Sequence, residues 1–252
     1  MARTKTANLP DDAALRMPPS PLLLALEQVM LRGTSDARTS VSIGERIAVR
    51  LAGAITLDRV RSGQRLLESD ISTLMQVSRA PVREALRILE RDRLVEFKPR
   101  RGAIVTAPDQ AELRDVFTIR STLYCLLLAQ VMEDNPEQLD AVFSRHLPRL
   151  EAAAKAGIDP YALEGFLLNI AVFDLCANRL LGEMLKSISL RTLRYVRLGL
   201  AHSPHSLGQS LRTWRMLQRA IQRRDIAKVL DTARSRMSTT RDAAVRALLR
   251  PQ

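Results

Sequence analysis

A chain of 252 residues is long enough for one large domain or two ordinary ones. Apolar residues make up 46% of it and aromatics only 4%, the balance of a Leu-, Ala- and Val-rich helical protein, and no apolar run approaches the roughly 18 residues of a membrane span. The 39 Lys and Arg against 27 Asp and Glu leave a net charge of +12, which favours a polyanionic partner without identifying it.

The charge is unevenly placed. Residues 41–106 hold 13 basic and 8 acidic side chains, residues 107–188 hold 7 and 12, and residues 189–252 hold 14 and 3. The N-terminus lacks the charged-then-apolar order of a signal peptide. Cys125 and Cys176 sit in apolar runs and read as core residues of a protein in a reducing cytoplasm.

In chain order, residues 1–40 form an N-terminal extension. Its first 20 residues carry Pro10, Pro18 and Pro19 among scattered polar residues, a disordered composition. Leu22, Leu26 and Val29 then suggest a short helix over Pro21–Leu31, followed by a small-polar linker over Thr34–Ser42. Ser42–Leu57 reads as a helix with Ile47, Leu51 and Ile55 on one face. Ser69 is placed to cap a helix of about two turns that ends at a turn over Gln76-Val77.

The next stretch organises the domain. Ser78 can cap a helix in which Pro81 falls in the first turn, where a missing N–H costs little. Val82, Leu86 and Leu89 share one face, and Arg79, Arg83 and Arg87 share another. Such a helix fits the major groove of DNA, where Arg reads guanine edges and neutralises phosphate. Downstream, Leu94–Phe97 and Ala103–Val105 flank Lys98-Pro99-Arg100-Arg101-Gly102, a small hairpin with a basic tip. Residues 41–106 therefore read as a winged helix-turn-helix, ended by Thr106-Ala107-Pro108-Asp109.

These residues resemble a known family. Val77-Ser78-Arg79-Ala80-Pro81-Val82-Arg83-Glu84-Ala85-Leu86 is similar to the signature of GntR-superfamily transcription regulators, and the likeness runs from Ser62-Gly63-Gln64-Arg65-Leu66 to Pro99-Arg100-Arg101-Gly102-Ala103. The resemblance implies DNA contacts from Ser69, Arg79, Ala80, Pro81, Arg83 and Arg87, and from Lys98, Arg100, Arg101 and Gly102 in the wing. Ser69 stands where many relatives have Arg, and Gln76 where they have Gly. Both departures bear on the operator sequence rather than on DNA binding itself.

Beyond Asp109 only helices are expected. Leu113, Phe117, Arg120, Tyr124, Leu127 and Val131 follow one stripe, which Asn135-Pro136 ends. Further helices are predicted over Glu137–Ala154, Tyr161–Cys176, Leu180–Leu200, Leu207–Arg223 and Ile226–Leu249. The fold class is thus mostly α: a winged helix-turn-helix, then an antiparallel bundle of about six helices over residues 107–252.

That order resembles the FadR subgroup, whose second domain is called FCD and both dimerises and binds effectors. Asn178-Arg179-Leu180-Leu181 and Ala220-Ile221-Gln222-Arg223-Arg224-Asp225 fit it. Most such domains hold a divalent metal through one Asp and three His. By spacing, those positions fall here on Gly165, Asn169, Trp214 and Arg236, none of them a usual ligand, so no metal and no other cofactor is expected. His202 and His205 flank a loop, and His146 reads as a surface residue. No nucleophile–base constellation or glycine-rich phosphate loop supports an enzyme.

Arg120, Tyr124, Asn169, Trp214 and Arg236 remain as a candidate effector site. The two arginines either pair internally with Glu164 or Asp174, or reach outward to water, or line a pocket for an organic acid or phosphorylated small molecule. The resemblance implies a cytoplasmic homodimer on a short palindromic operator in double-stranded DNA, without a membrane. The alternative is an effector-independent, sequence-tolerant architectural DNA-binding protein.

Overall fold

Residues 42–202 and 206–249 are described by the computed structural model, and their contacts divide the chain between Ala107 and Pro108. The N-terminal stretch expected to be disordered, the helix expected over Pro21–Leu31, the linker expected before Ser42, and His205 lie outside the described residues.

In the first unit, α1 (Ile43–Thr56) begins with a reciprocal cap. Ser42 Oγ accepts from the Glu45 N–H at 3.0 Å, and Glu45 Oε2 accepts from the Ser42 N–H at 2.8 Å. Its predicted face of Ile47, Leu51 and Ile55 is buried. Then come β1 (Arg65–Leu66), α2 (Glu68–Met75), α3 (Arg79–Arg91), β2 (Val95–Lys98) and β3 (Gly102–Val105). The hairpin β2–β3 pairs Val95 with Val105 and Lys98 with Gly102. β1 adds on the other side of β3, pairing Arg65 with Ile104 and Leu66 with Ala103, so the antiparallel order is β1-β3-β2. A two-residue strand has no periodicity to read, which is why the sequence did not announce β1.

Two caps differ from expectation. Ser69 does not cap α2: the helix starts one residue earlier, Leu67 holds the cap position without a side-chain bond, and Ser69 Oγ donates to Asp70 Oδ1 at 3.0 Å. Ser78 does precede α3, but its side chain makes no capping bond. Pro81 stands third in that helix and has no N–H, which removes one of the two donors such a cap uses. Val82, Ala85, Leu86 and Leu89 are buried nonetheless and pack α3 against α1.

The second unit holds six helices among its described residues: α4 (Gln110–Asp134), α5 (Pro136–Ala156), α6 (Ile158–Phe173), α7 (Arg179–Ala201), α8 (Ser206–Gln222) and α9 (Ile226–Leu248). Asp109, Asn178 and Asp225 cap α4, α7 and α9 by accepting from the N–H groups of Glu112, Leu181 and Lys228. Most ends fall within about two residues of expectation. The exception is α6, which begins at Ile158 just after Gly157 (φ 128°) and stops at Phe173, leaving Cys176 beyond its end.

The stripe Leu113, Phe117, Arg120, Tyr124, Leu127 and Val131 of α4 is buried as read from its spacing, and α4 packs on α7 and α9. By length and mean hydropathy α4 could also cross a membrane, but half of that window is buried against its neighbours. Where α7 meets α9, a Cβ on Gly199 would stand 3.0 Å from the backbone nitrogen of Ala244, so glycine permits the close approach.

Gln76 ends α2 in the left-handed region, at φ 54° and ψ 44°. That conformation costs a side-chain-bearing residue about 1 kcal/mol or more. Gln76→Gly should stabilise the winged unit by roughly 0.5–1 kcal/mol and Gln76→Val should destabilise it by at least as much. Urea unfolding of the full chain, followed by a probe on α3, measures both.

Candidate DNA-reading surface and anion cavity

In the winged unit, the apolar side of α3 is buried and the opposite side carries three exposed arginines. They are not equivalent. Arg79, at the first turn, makes no hydrogen bond or ion pair among the described residues, and its charge helps hold the Glu68 carboxyl down. Arg83 is clamped by Glu68, its Nε and Nη2 donating to the two carboxylate oxygens at 3.0 and 2.9 Å. The clamp holds the Glu68 carboxyl below the usual range and the Arg83 guanidinium above it. Arg87 donates to Glu90 at 2.8 Å, and its guanidinium lies 4.4 Å from the centre of the Phe97 ring on β2. It thereby ties the helix to the wing.

Ala80 is exposed and Pro81 and Ser69 half-buried beside this face. At the wing tip, Lys98, Arg100 and Arg101 are exposed, with Lys98 Nζ 2.8 Å from Glu96 Oε1. Arg100 (φ 62°) and Gly102 (φ 73°) make the turn, and the Arg101 N–H donates to the Lys98 carbonyl at 3.0 Å. Glu68 escaped the sequence reading because its partner lies 15 residues away on another helix.

In the second unit, α4, α6, α7, α8 and α9 line a partly open cavity of about 100 Å³. All four positions that the resemblance assigns to metal ligands, Gly165, Asn169, Trp214 and Arg236, line it, and so does Arg120. Trp214 is fully buried, edge-on to Phe143 with ring centres 5.9 Å apart. The Arg236 guanidinium stacks on the Trp214 ring at 3.4 Å, and its Nε is closed off from solvent without a partner. Arg120 Nη1 donates to Thr192 Oγ1 at 2.7 Å, while its Nε is likewise buried and unpaired. Tyr124 is not part of the wall. It packs edge-on against Phe173, and its buried hydroxyl has no partner.

Neither expected carboxylate neutralises these arginines. Glu164 Oε1 lies 2.9 Å from His146 Nδ1, and Asp174 Oδ1 lies 2.6 Å from Lys186 Nζ. His146 is therefore buried, not a surface residue: it shares the buried stripe of α5 with Leu139, Val142, Phe143 and Leu150. Thr192 and Ser189 belong to the site but carried no signal in the sequence. Burial lowers the Arg120 pKa to about 10, with the Arg236 charge adding to the effect, and burial lowers that of Arg236 too. Arg120 still carries its charge at neutral pH. A base with a depressed pKa destabilises the fold at pH values below it, here by on the order of 3 kcal/mol, and relieves it only as pH rises above about 10.

The cavity does not fit a divalent cation. It offers no carboxylate or imidazole, Arg236 stands where a ligand would, and no group of three His, Cys, Asp or Glu occurs among the described residues. Two positive groups with unused donors face inward instead, an arrangement that receives negative charge.

The comparisons with known proteins agree with both units. Residues 43–105 match the model of bacterial regulatory proteins of the gntR family, and residues 115–239 match the FCD domain. The gluconate operon transcriptional repressor of Bacillus subtilis is 28% identical over 117 residues, 46% of this chain and 48% of that protein. The match thus spans about half the length of that curated relative. The structure of McbR/YncC from E. coli superimposes with a TM-score of 0.69 at 21% identity, covering 79% of this chain and 95% of that one. A GntR-type regulator from Rhodococcus sp. RHA1 gives 0.66 at 23%, covering 84% and 100%. The winged unit followed by an FCD unit on one chain places this protein in the GntR family of bacterial regulatory proteins, within its FadR-type, FCD-bearing branch.

Proposed function

We propose that the chain is a transcription regulator that binds double-stranded DNA as a homodimer, reads a short palindromic operator, and responds to a small anion in its helical domain. The observation that carries the DNA-binding reading is α3: four buried apolar residues on one side, three exposed arginines on the other. Arg79 supplies an uncommitted guanidinium for a guanine edge, Arg83 arrives pre-oriented by Glu68, and Lys98, Arg100 and Arg101 touch phosphate or the minor groove. A two-fold dimer presents two such helices to two half-sites. An anion in the cavity that favours one arrangement of the dimer changes operator affinity by the free energy with which it favours it.

Selection of bound DNA from a random pool tests the first part. A palindromic consensus is expected, and a ratio of specific to random binding near one leaves only sequence-tolerant binding. Arg79→Ala should cost roughly 1–3 kcal/mol of operator binding, while Lys98→Ala and Arg101→Ala should weaken operator and random DNA alike and flatten the salt dependence. Glu68→Ala should do the reverse for random DNA: tighter binding, with a salt slope steeper by about one contact.

The cavity makes two further predictions. Purified protein should hold no stoichiometric zinc, nickel or manganese by elemental analysis, and chelators should leave its melting temperature unchanged. Arg120→Met should keep or raise the melting temperature of the ligand-free protein, because a buried charge without a counter-ion is replaced by an apolar chain of similar length. The same variant should lose any stabilisation by added organic acids.

A further inference from the structure

We infer that the outer face formed by α5 and α8 is a second, sequence-independent contact for the phosphate backbone of double-stranded DNA, separate from the arginine helix of the winged unit. Six cations carry it: Arg145, Arg149 and Lys155 on α5, Arg212 and Arg219 on α8, and Arg223 one residue past its end. All six are exposed, and none of their side chains makes a hydrogen bond or ion pair among the described residues. Arg212, Arg219 and Arg223 stand at i, i+7 and i+11, on one stripe. The Arg223 N–H bonds the Arg219 carbonyl at 3.1 Å, which carries the helical path through it. α5 packs alongside and runs the other way. Gln218 Nε2 donates to Ser144 Oγ at 3.4 Å, Arg215 Nε donates to Glu151 Oε1 at 2.9 Å, and Arg224 pairs with Glu137.

The charge on this face is what internal pairing leaves over. Four acids of the acidic stretch 107–188 meet bases of the basic stretch that follows it: Glu112 with Arg191, Glu137 with Arg224, Glu151 with Arg215 and Asp159 with Arg197. Lys228 and Arg241 pair within α9, with Asp231 and Asp242. The six cations of the α5–α8 face have no such neutralisation, and Glu137 and Glu151 at its seam are already engaged. Charges of one sign gathered near the screening length, about 10 Å at 0.1 M salt, repel one another, and a negative partner relieves this. A single small anion needs donors that converge on one point. These donors are spread over two helices, and Arg212 to Arg223 alone covers roughly 16 Å of helix axis. A duplex carries about one phosphate charge per 1.7 Å of its axis, so it offers roughly ten over that length.

The side chains of the face favour a phosphate backbone over other polyanions. Five of the six are arginines, whose planar fork matches phosphate oxygens. Ala141, Pro148 and Ala152 on α5 are exposed and short, so the charged heads stand clear of the helix between them. Met216, 47% exposed, is the one large exposed apolar residue of α5 and α8 among the described residues. A helix that lies in a membrane surface carries a full apolar face, and a protein interface carries an apolar core, so neither partner suits this face. Duplex bound by the winged unit is also presented to the rest of the same chain at raised effective concentration.

Full-chain variants that each remove two charges test this, with binding to random-sequence duplex measured by fluorescence anisotropy between about 50 and 200 mM salt. Arg212→Gln/Arg219→Gln and Arg145→Gln/Arg149→Gln should each weaken binding several-fold at the low-salt end and lower the slope of log K against log salt by roughly one to two. The ratio of selected-operator to random binding should stay the same, since backbone contacts carry no sequence information. Arg179→Gln/Arg246→Gln, at two exposed arginines on α7 and α9, removes the same charge and should leave the slope unchanged. All three variants should melt with the wild-type chain, because the side chains are exposed. Unchanged slopes in the α5 and α8 variants overturn the second contact, while the effects of Lys98→Ala and Arg101→Ala report on the winged unit separately. An equal fall in all three variants shows that net charge alone acts, and overturns it too. So does a loss confined to co-flotation with phosphatidylglycerol vesicles, which assigns the face to a lipid surface.

Discussion

Arg120 beside Arg236, inside a helical bundle and without a carboxylate, is the constraint on which the chemistry of the second unit turns. Desolvating two guanidiniums is expensive, and the fold offsets only part of the cost. Thr192 accepts one bond from Arg120, and the Trp214 ring receives the Arg236 guanidinium on its face. The carboxylates that could have completed the neutralisation are committed to His146 and Lys186. What remains is a positive, partly unsatisfied cavity with an aromatic wall. On the proposed reading of the cavity, its stability and its binding preference are two expressions of the same missing negative charge.

The winged unit uses arginine under opposite conditions. Its three α3 arginines stand in water, where screening makes each ion pair weak and the side chains easy to redirect. Position there is set by neighbours rather than by burial. Glu68 aims Arg83, Phe97 holds Arg87 near the wing, and Arg79 is left unconstrained. The apolar back of α3, packed on α1, keeps all three on one side. A carboxylate within an otherwise basic face also subtracts attraction for phosphate in general, which favours a partner that offers Arg83 something better than a charge.

Much of this was legible from residue spacing because helices repeat their neighbours locally. The stripe of α4 needed nothing beyond the period of a helix to place Leu113, Arg120 and Tyr124 inside. Local reasoning failed where a nearby residue vetoed it. Pro81 withdrew a donor from Ser78, and Ser69 proved to lie inside its helix rather than ahead of it. For His146 the local period was available but went unused: it lies on the same stripe as Leu139, Val142, Phe143 and Leu150, and Glu164 then pairs with it from another helix.

The sequence by itself determined the helical pattern, the two-sided character of α3, the basic hairpin, and the lack of metal-ligand residues at Gly165, Asn169, Trp214 and Arg236. Those properties are local or compositional, and no packing can change which side chains are present. The tertiary structure alone decided that these four residues and Arg120 line one cavity, that no carboxylate joins them, that Asn169 keeps an unused acceptor, and that Glu68 closes on Arg83. Each of these depends on a pairing between helices distant in the chain, and a charge is costly or cheap only once its surroundings are fixed.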